Sequence, residues 1–320
     1  MRAVRLGGVG VSALCLGTMF FGTRVDEATS LRLLDAYTAS GGRFLDAANN
    51  YAFWITGSRG GESEALLGRW LQARRNRDQI FLASKVGARP RVAGGSTADA
   101  EGLGGAAIER AVEESLDRLG TDYLDLYYAH IDDRAIDLTE TLAAFDRLVR
   151  TGKVRQIGCS NIHAWRLAEA RGLSAARDWA PYVCVQQRYS YLQPALGAQL
   201  GVQVAVSDEL RDYCAAHPDV ALLAYSPLLA GAYSRPDRPL PPEYRGPANE
   251  ARLRALASVS AALGATPSQV VLAWLLGQTP AVLPLIAASN EAQLAENLGA
   301  LDVRLTAAQR ATLDAAGMPA

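Results

Sequence analysis

The sequence predicts a single-domain α/β fold, a (β/α)8 (TIM) barrel spanning residues 1–320, with an N-terminal β-hairpin and an extra C-terminal helix. Eight strand-like segments alternate with helical segments over 320 residues, a length that suits one such barrel. The strands are short and apolar without clean alternation, as expected for a parallel sheet buried on both faces. Most of the predicted strands are followed by polar residues at their carboxyl ends, which is where active sites lie in this fold.

The strands are predicted from short apolar runs that are bounded by turn residues. Each run is too short for a helix, and each is followed by a longer segment of helical character. In chain order the predicted strands cover residues 13–17, 43–47, 79–85, 123–129, 154–158, 182–186, 220–225 and 281–286.

The helices are predicted from apolar residues spaced three and four apart, most clearly Ile108, Val112, Leu116 and Leu119. The proline-rich stretch 235–247 is predicted to be a long loop after the seventh strand, because the periodic pattern resumes beyond it. The predicted helices cover residues 27–40, 62–72, 106–119, 138–150, 162–171, 202–216, 250–263 and 291–301.

One motif near the start of the chain imitates a dinucleotide-binding fingerprint. Residues 8–13 (GVGVSA) fit GxGxxG/A. That motif binds pyrophosphate only when a helix follows at once, so that the helix N-terminus faces the phosphates. The following residues, LCLGT, have strand character, so we predict a hairpin turn here instead.

Composition and charge exclude several classes of partner. The formal net charge of −1 gives no basic field for nucleic acid or an anionic membrane. No apolar stretch is long enough to span a bilayer, and the first residues lack a clear secretory signal, so we expect a cytoplasmic protein. The cysteines form no CxxC pair, which argues against a zinc ribbon or redox dithiol; they are Cys15, Cys159, Cys184 and Cys214.

Four residues at successive strand ends make chemical sense together: Asp46, Tyr51, Lys85 and His130. A free tyrosine has a pKa of about 10 and is a poor proton donor at neutral pH. A nearby ammonium lowers that pKa because it favours the phenolate. Asp46 would pair with Lys85 and orient it, while His130 would hydrogen-bond the substrate oxygen. Such a set can protonate a carbonyl oxygen as hydride arrives at carbon. Each residue taken alone could equally be a cap, a surface charge or a packed side chain.

With these four residues in place, the sequence resembles the aldo-keto reductase family, in the branch that includes potassium-channel β-subunits and bacterial reductases. The resemblance implies a nicotinamide-dependent carbonyl reductase with Asp46, Tyr51, Lys85 and His130 as its catalytic tetrad. It is carried, in the family's order, by LGTM (16–19), FLDAANNY (44–51), ASK (83–85), YLDLYYAH (123–130), GKVRQIGCSN (152–161), VQQRYS (185–190), AYSPL (224–228) and ASNEAQLAENLGAL (288–301).

The resemblance also implies a cofactor site along the same mouth. Ser160, Asn161 and Gln186 would hold the nicotinamide carboxamide, and Tyr225 would stack on the nicotinamide ring. The pyrophosphate would lie along Ser226, Leu228 and Gly231. The adenosine end would be held by Ser289, Gln293, Glu296 and Asn297.

The choice between NADP and NAD depends on a cation for the 2′-phosphate. Residues 287–297 contain no lysine or arginine, which departs from many relatives. Arg235 and Arg245, in the long loop after the seventh strand, could fold over the adenosine instead, because a guanidinium binds phosphate bidentately. The prediction is NADP, with NAD as the alternative. Asn290 and Gln293 are also predicted to cap the last barrel helix.

Substrate contacts are expected from variable loops. Phe53 and Trp54 lie in a loop that is plainer in many relatives, and Tyr189 follows the sixth strand. These aromatic residues could shape the pocket of a small-molecule carbonyl or alcohol, or could equally be packing residues. An aryl aldehyde, an aliphatic aldehyde and a sugar remain open as substrates, and the sequence does not define the oligomeric state.

Two other functions compete with the reductase. A metal-dependent barrel hydrolase could use His130, Asp132 and Asp133, but the chain has only three histidines, the others being His163 and His217. We therefore predict no metal site. A cofactor-binding sensor or regulatory subunit with little turnover is the second alternative, which a measurement of turnover would distinguish.

Overall fold

A closed barrel of eight parallel strands forms the centre of the protein. The computed structural model describes residues 1–55, 57–92 and 94–318. Each barrel strand pairs with the next in the chain, and the last pairs with the first. The predicted (β/α)8 fold is therefore confirmed. The hairpin strands are β1 (Ala3–Leu6) and β2 (Val9–Ser12). The barrel strands are β3 (Cys15–Gly17), β4 (Phe44–Asp46), β5 (Phe81–Val86), β6 (Leu124–Ala129), β7 (Val154–Ser160), β8 (Tyr182–Arg188), β9 (Ala221–Tyr225) and β10 (Val282–Ile286).

The helices surround the barrel and begin at recognisable caps. Asp26, Asp137, Ser207 and Asn290 each accept a hydrogen bond from a backbone N–H in the first turn of the helix that follows. The helices are α1 (Glu27–Ala39), α2 (Glu62–Arg74), α3 (Gly105–Leu119), α4 (Leu138–Arg150), α5 (Ala164–Ala176), α6 (Asp208–Ala216), α7 (Pro247–Leu263), α8 (Pro267–Leu276), α9 (Glu291–Gly299) and α10 (Ala307–Ala315). Among the described helices none is by itself long and apolar enough to cross a membrane, although α7 and α8, bent by 97° at their junction, pass that test as a pair.

The N-terminal hairpin closes the barrel at the amino ends of its strands. Gly7 and Gly8 form its turn with φ of +53° and +85°, a left-handed backbone that glycine adopts without strain. The fingerprint-like motif is therefore part of a hairpin, as predicted. Leu6 and Val11 belong to the buried cluster inside the barrel, and Gln156 of β7 donates to the carbonyl of Gly7 at 2.8 Å.

Three helix predictions require correction. The helix after β8 begins at Asp208 rather than at 202, because Ser207 caps it. The helix after β7 continues to Ala176 rather than ending at 171. The helix α8 was not predicted at all. Residues 270–275 within it are all buried, so it has no polar face and no helical periodicity in its sequence.

Candidate active site

The inward face of the barrel changes from apolar to polar near the carboxyl ends of its strands. On β4 the inward side chains are Phe44 and then Asp46, and on β5 they are Ala83 and then Lys85. Side chains two apart on a strand share a face, so the polar residues stand directly above the apolar filling. By the same step of two, this polar layer also includes His130, Ser160 and Gln186.

Asp46, Lys85 and Tyr51 form one hydrogen-bonded group. The Lys85 ammonium donates to Asp46 Oδ1 and to the Tyr51 hydroxyl, and it also donates to the carbonyl of Ala47 at 2.8 Å. The Tyr51 hydroxyl donates to Asp46 Oδ1 at 2.7 Å. The side chains of Asp46 and Lys85 are fully buried. The structure therefore brings together three of the four residues that the sequence proposes for catalysis.

Burial governs the protonation of this group. It raises the pKa of Tyr51 well above its usual value, and the Asp46 carboxylate raises that pKa further because it disfavours a second negative charge. Burial also lowers the pKa of Lys85, although the nearby Asp46 carboxylate opposes that shift. Any lowering of the Tyr51 pKa by the Lys85 ammonium is outweighed by these two effects, so the net shift is upward. Tyr51 keeps its proton at neutral pH.

His130 lies beside Tyr51 at the end of β6. Its backbone N–H donates to the carbonyl of Val86 at 2.9 Å, and its ring centroid is 6.1 Å from that of Tyr51 at an interplanar angle of 75°. Burial and the Lys85 charge both lower the pKa of His130, so the imidazole is neutral. Its Nδ1 is buried and has no hydrogen-bond partner among the described residues. A neutral imidazole here can hydrogen-bond a ligand oxygen.

The three residues expected at the carboxamide also hold the polar layer together. Gln186 Nε2 donates to Asp46 Oδ2 at 2.9 Å, and Ser160 Oγ donates to the carbonyl of Gln186 at 2.6 Å. Asn161 Nδ2 donates to the carbonyl of His130 at 2.9 Å. The sequence reasoning did not foresee these bonds, because strand-end positions do not reveal which neighbour a side chain turns towards.

Tyr225, expected to stack on the nicotinamide ring, lies at the end of β9. Its hydroxyl donates to Asn161 Oδ1 at 2.7 Å. The backbone N–H of Val204 donates to the same oxygen at 3.1 Å. Asn161 itself has a left-handed backbone, with φ of +54°. The ring of Tyr225 is therefore held at one edge of the mouth.

The loop after β9 contains a cluster of residues with a left-handed backbone. Ser226, Leu229 and Ala230 all have positive φ (+53°, +48° and +58°), and Gly231 has φ of +95°. Within the loop, the backbone N–H of Leu229 donates to the carbonyl of Ser226 at 3.2 Å, and that of Gly231 donates to the carbonyl of Leu228 at 2.8 Å. Non-glycine residues in this conformation cost about 1–2 kcal/mol each, a strain that is typical of functional loops. The predicted residue Leu228 lies within this loop, half-buried. The contact of these residues with a pyrophosphate stays a prediction.

The residues expected at the adenosine end lie just before α9 and along its length. Ser289 donates through N and Oγ to Gln293 Oε1 at 2.9 and 2.8 Å. Asn290 caps the helix by accepting from Gln293 N at 2.9 Å, as predicted. Asn297 donates to the carbonyl of Ala287 at 3.0 Å. These contacts leave Ser289 and Gln293 near the surface at a helix N-terminus, which favours an anion.

Three further predicted cofactor contacts have protein partners. Glu296 accepts from Thr266 Oγ1 at 2.7 Å and so ties α9 to α8. Arg235 forms an exposed ion pair with Asp237 at 2.6 Å. Arg245 is exposed and donates through Nε to the carbonyl of Leu240 at 3.1 Å. The exposed ion pair of Arg235 contributes little to stability, so breaking it would cost little.

An aromatic cluster stands at the mouth beyond β3 and β4. The Trp54 ring centroid is 5.1 Å from that of Phe53 and 6.3 Å from that of Phe20, both edge-to-face. Trp54 is 47% exposed, so about half of its surface is open to solvent. The Arg24 guanidinium lies 4.9 Å from the Phe20 ring. The sequence reasoning missed Phe20 and Arg24, although FF at 20–21 directly after LGTM was an available signal.

Tyr189 does not join this cluster. It is buried, and its ring centroid lies 6.0 Å from that of Trp274 on α8. Its backbone N–H donates to the carbonyl of Tyr225 at 3.2 Å. The structure therefore gives Tyr189 a packing contact on the helical side of the barrel, apart from Phe53 and Trp54.

The residues proposed for a metal site are engaged elsewhere. Asp132 accepts from Arg166 at 2.7 Å, and Asp133 accepts from the backbone N–H of Leu103 at 3.0 Å. Within residues 1–55, 57–92 and 94–318, no three histidine, cysteine, aspartate or glutamate side chains come together as a metal site would require. The four cysteines are buried free thiols.

Comparison with known proteins relates both the sequence and the fold to oxidoreductases. The sequence model of the Aldo/keto reductase family matches residues 13–317. The oxidoreductase YrpG of Bacillus subtilis (strain 168) is 32% identical over 306 residues, which cover 93% of this chain and 90% of that protein. An aryl-alcohol dehydrogenase of Pestalotiopsis microspora is 28% identical over 313 residues, 93% of this chain and 77% of its own length. The crystal structure of an aldo/keto reductase from Klebsiella pneumoniae in complex with NADP and acetate superposes with a TM-score of 0.74 at 27% identity, covering 98% of this chain and 94% of that one.

Proposed function

The chain belongs to the aldo/keto reductase family, and we propose that it reversibly reduces an aldehyde or ketone to an alcohol with Tyr51 as the proton donor. The observation that carries the proposal is the contact of the Tyr51 hydroxyl with both Lys85 and Asp46 at the carboxyl end of the barrel. This places a protonated phenol, a buried cation and a buried carboxylate at the end of a barrel where catalytic groups are found.

Each residue of this group has a distinct task. A nicotinamide cofactor, when bound, would supply the hydride for the carbonyl carbon. Tyr51 gives its proton to the carbonyl oxygen, and the Lys85 ammonium stabilises the phenolate that is left. Asp46 holds Lys85 in place through its buried carboxylate. The neutral His130 donates a hydrogen bond to the same substrate oxygen and so fixes its direction.

NADP is the cofactor in this proposal. The related Klebsiella pneumoniae structure is a complex with NADP, and the pyrophosphate would lie along the loop at 226–231. Ser160, Asn161 and Gln186 would hold the carboxamide, and Ser289 and Gln293 would hold the adenosine end. Arg245 would turn to the 2′-phosphate, which carries about two negative charges.

The role of Arg245 predicts a change in cofactor preference. Arg245→Ala should weaken NADPH binding and leave NADH binding nearly unchanged, because only NADPH carries the extra phosphate. Dissociation constants for both cofactors, measured by tryptophan fluorescence, test this. Arg238→Ala, which removes another exposed arginine of the same loop, is the control. Equal binding of NADH and NADPH by the unmodified protein would contradict the assignment.

An aryl carbonyl is the substrate class that the mouth favours. The exposed part of Trp54, backed by Phe20 and Phe53, offers a flat aromatic surface on which a ring can stack. The similarity to an aryl-alcohol dehydrogenase agrees with this choice. In a panel of aldehydes, aryl members should have higher kcat/KM than aliphatic members and aldoses of similar size.

The experiment that tests the function removes only the transferable proton. Tyr51→Phe should lower kcat for aldehyde reduction by about 10²–10⁴-fold and leave NADPH binding nearly intact. Turnover is followed by NADPH absorbance. A variant that retains most of the wild-type kcat in a chemistry-limited assay would refute the role of Tyr51. A wild-type chain that binds NADPH but turns over no carbonyl would instead be a cofactor-binding regulatory subunit.

A further inference from the structure

We propose that residues 101–103 form a brace that aligns the three catalytic loops, with Glu101 and Asp133 as its positioning residues. The loops in question carry Tyr51 after β4, Lys85 at the end of β5, and His130 after β6. The inference rests on the proposed function, because it concerns the same reaction. The brace touches none of the reacting atoms and acts through the backbone that carries them.

Glu101 joins the first two loops through one oxygen atom. Its Oε1 accepts from Asn49 Nδ2 at 2.8 Å and from the backbone N–H of Gly87 at 2.9 Å. Asn49 is two residues before Tyr51, and Gly87 is two residues after Lys85. A carboxylate is a stronger acceptor than a neutral carbonyl. The shared oxygen therefore reinforces the direct bonds between the two loops, from Asn49 N–H to the Lys85 carbonyl at 3.3 Å and from Asn50 Nδ2 to the Ala88 carbonyl at 3.2 Å.

The same segment holds the third loop. Asp133, three residues after His130, accepts through Oδ2 from the backbone N–H of Leu103 at 3.0 Å. Its other oxygen accepts from Ala135 N at 3.1 Å, which shapes the loop itself. The hydroxyl of Thr141 on α4 donates to the carbonyl of Leu103 at 2.9 Å. Leu103 is thereby anchored at both its N–H and its carbonyl.

The brace is in close contact with the loops. Gly87 has φ of +106°, and a Cβ there would lie 2.6 Å from Leu103 Cδ2. Gly102 has φ of +75°, and a Cβ there would lie 2.7 Å from Asp133 Oδ2. Both positions therefore require glycine for backbone conformation and for space. The backbone N–H of Glu101 donates to the carbonyl of Arg89 at 2.8 Å, which returns the chain onto the end of β5.

This arrangement predicts a separation of catalysis from binding. Loss of the shared acceptor would leave fewer hydrogen bonds between the Tyr51 and Lys85 loops and so loosen their alignment, and a displacement of about 1 Å can cost about 10²-fold in rate. The cofactor contacts proposed above lie on β7, β8, the loop after β9 and α9, where Glu101 makes no hydrogen bond. Rate should therefore fall while NADPH affinity is kept.

The test compares three full-length variants in single-turnover oxidation of bound NADPH by an aryl aldehyde. Glu101→Ala should lower the rate by about 10–100-fold with an unchanged dissociation constant for NADPH. Glu101→Gln should recover most of the rate, because its amide oxygen can still accept both hydrogen bonds. The control is Glu109→Ala, which loses only an exposed ion pair with Arg147.

Hydrogen–deuterium exchange gives a readout that does not depend on activity. In Glu101→Ala, peptides covering 47–52 and 86–90 should exchange faster than in the wild type, while peptides of α9 should not. Unchanged exchange, or a full rate in Glu101→Ala, overturns the brace. A rate loss that Glu101→Gln fails to recover also overturns it. If the wild type reduces no carbonyl, the proposed function fails, and the exchange data still decide whether the brace holds the loops.

Discussion

Asp46 is the residue that couples the members of the polar layer. It accepts from Tyr51, from Lys85 and from Gln186, and it is fully buried. Its charge raises the pKa of Tyr51 and also raises the pKa of Lys85. The carboxylate therefore helps both groups to retain their protons, which is the state that carbonyl reduction needs.

This coupling predicts opposite pH shifts for two substitutions. Asp46→Asn removes a charge that raises both pKa values, so the alkaline fall of kcat should move to lower pH. Lys85→Met removes the cation that stabilises the phenolate, so the fall should move to higher pH. Lys85→Met should also lose more activity, because Asp46→Asn keeps the ammonium. Profiles of kcat against pH for both variants test this, and shifts in the same direction would be inconsistent with it.

The sequence predicts which residues meet at this site, but it does not predict how they bond. Asp46, Lys85 and His130 occupy strand ends, and the period of two along a strand assigns them to one face. The bond from Gln186 to Asp46 joins residues 140 positions apart. The contact of Phe20 with Trp54 joins two separate loops. Such pairings depend on loop paths and side-chain rotamers, which no local pattern encodes.

At the scale of elements, the predictions succeed where a helix is amphipathic. Helix α4 begins and ends at the predicted residues, and its buried side chains lie on one face. Helix α8 is buried nearly all round, so its interior carries no periodic signal. Its start does carry a signal, a Thr266–Pro267 pair with Gln269 in a capping box. Capping residues are therefore better markers of buried helices than periodicity.

The capping box of α8 has a further role that predicts an unequal loss of stability. Thr266 caps α8 and also donates to Glu296 on α9, whereas Thr306 caps α10 and bonds only within its own box. Loss of either cap should cost about 1 kcal/mol. Thr266→Ala should cost more than Thr306→Ala, because it also removes the bond to α9. Urea unfolding of both variants measures the difference, and equal losses would show that the bond between helices contributes nothing.

At the scale of the whole molecule, the barrel has an apolar interior, a hairpin that covers its amino-terminal end (the floor) and a polar layer at its carboxyl-terminal end (the mouth). Cys15, Phe44, Leu126 and Leu283 belong to the buried cluster that fills the interior, and the hairpin closes it from below. The polar layer lies at the opposite end. The apolar side chains below Asp46 and Lys85 exclude water from that side of the polar layer. The burial that raises the pKa of Tyr51 and lowers the pKa of His130 therefore depends on this packing.

The division into floor and mouth predicts that stability and catalysis can be changed separately. Leu6 is fully buried in the floor, so Leu6→Ala should lower the free energy of unfolding by about 2–5 kcal/mol. Val9 on the same hairpin is 45% exposed, so Val9→Ala should cost less than about 1 kcal/mol. Both variants should keep wild-type kcat well below their unfolding temperatures, because the hairpin lies at the amino ends of the strands and the proposed catalytic residues lie at the carboxyl ends. Urea unfolding gives the stabilities and NADPH oxidation gives kcat. A Leu6→Ala loss no larger than that of Val9→Ala would mean that the hairpin is not the floor of the core, and a fall in kcat would mean that the floor supports the mouth directly.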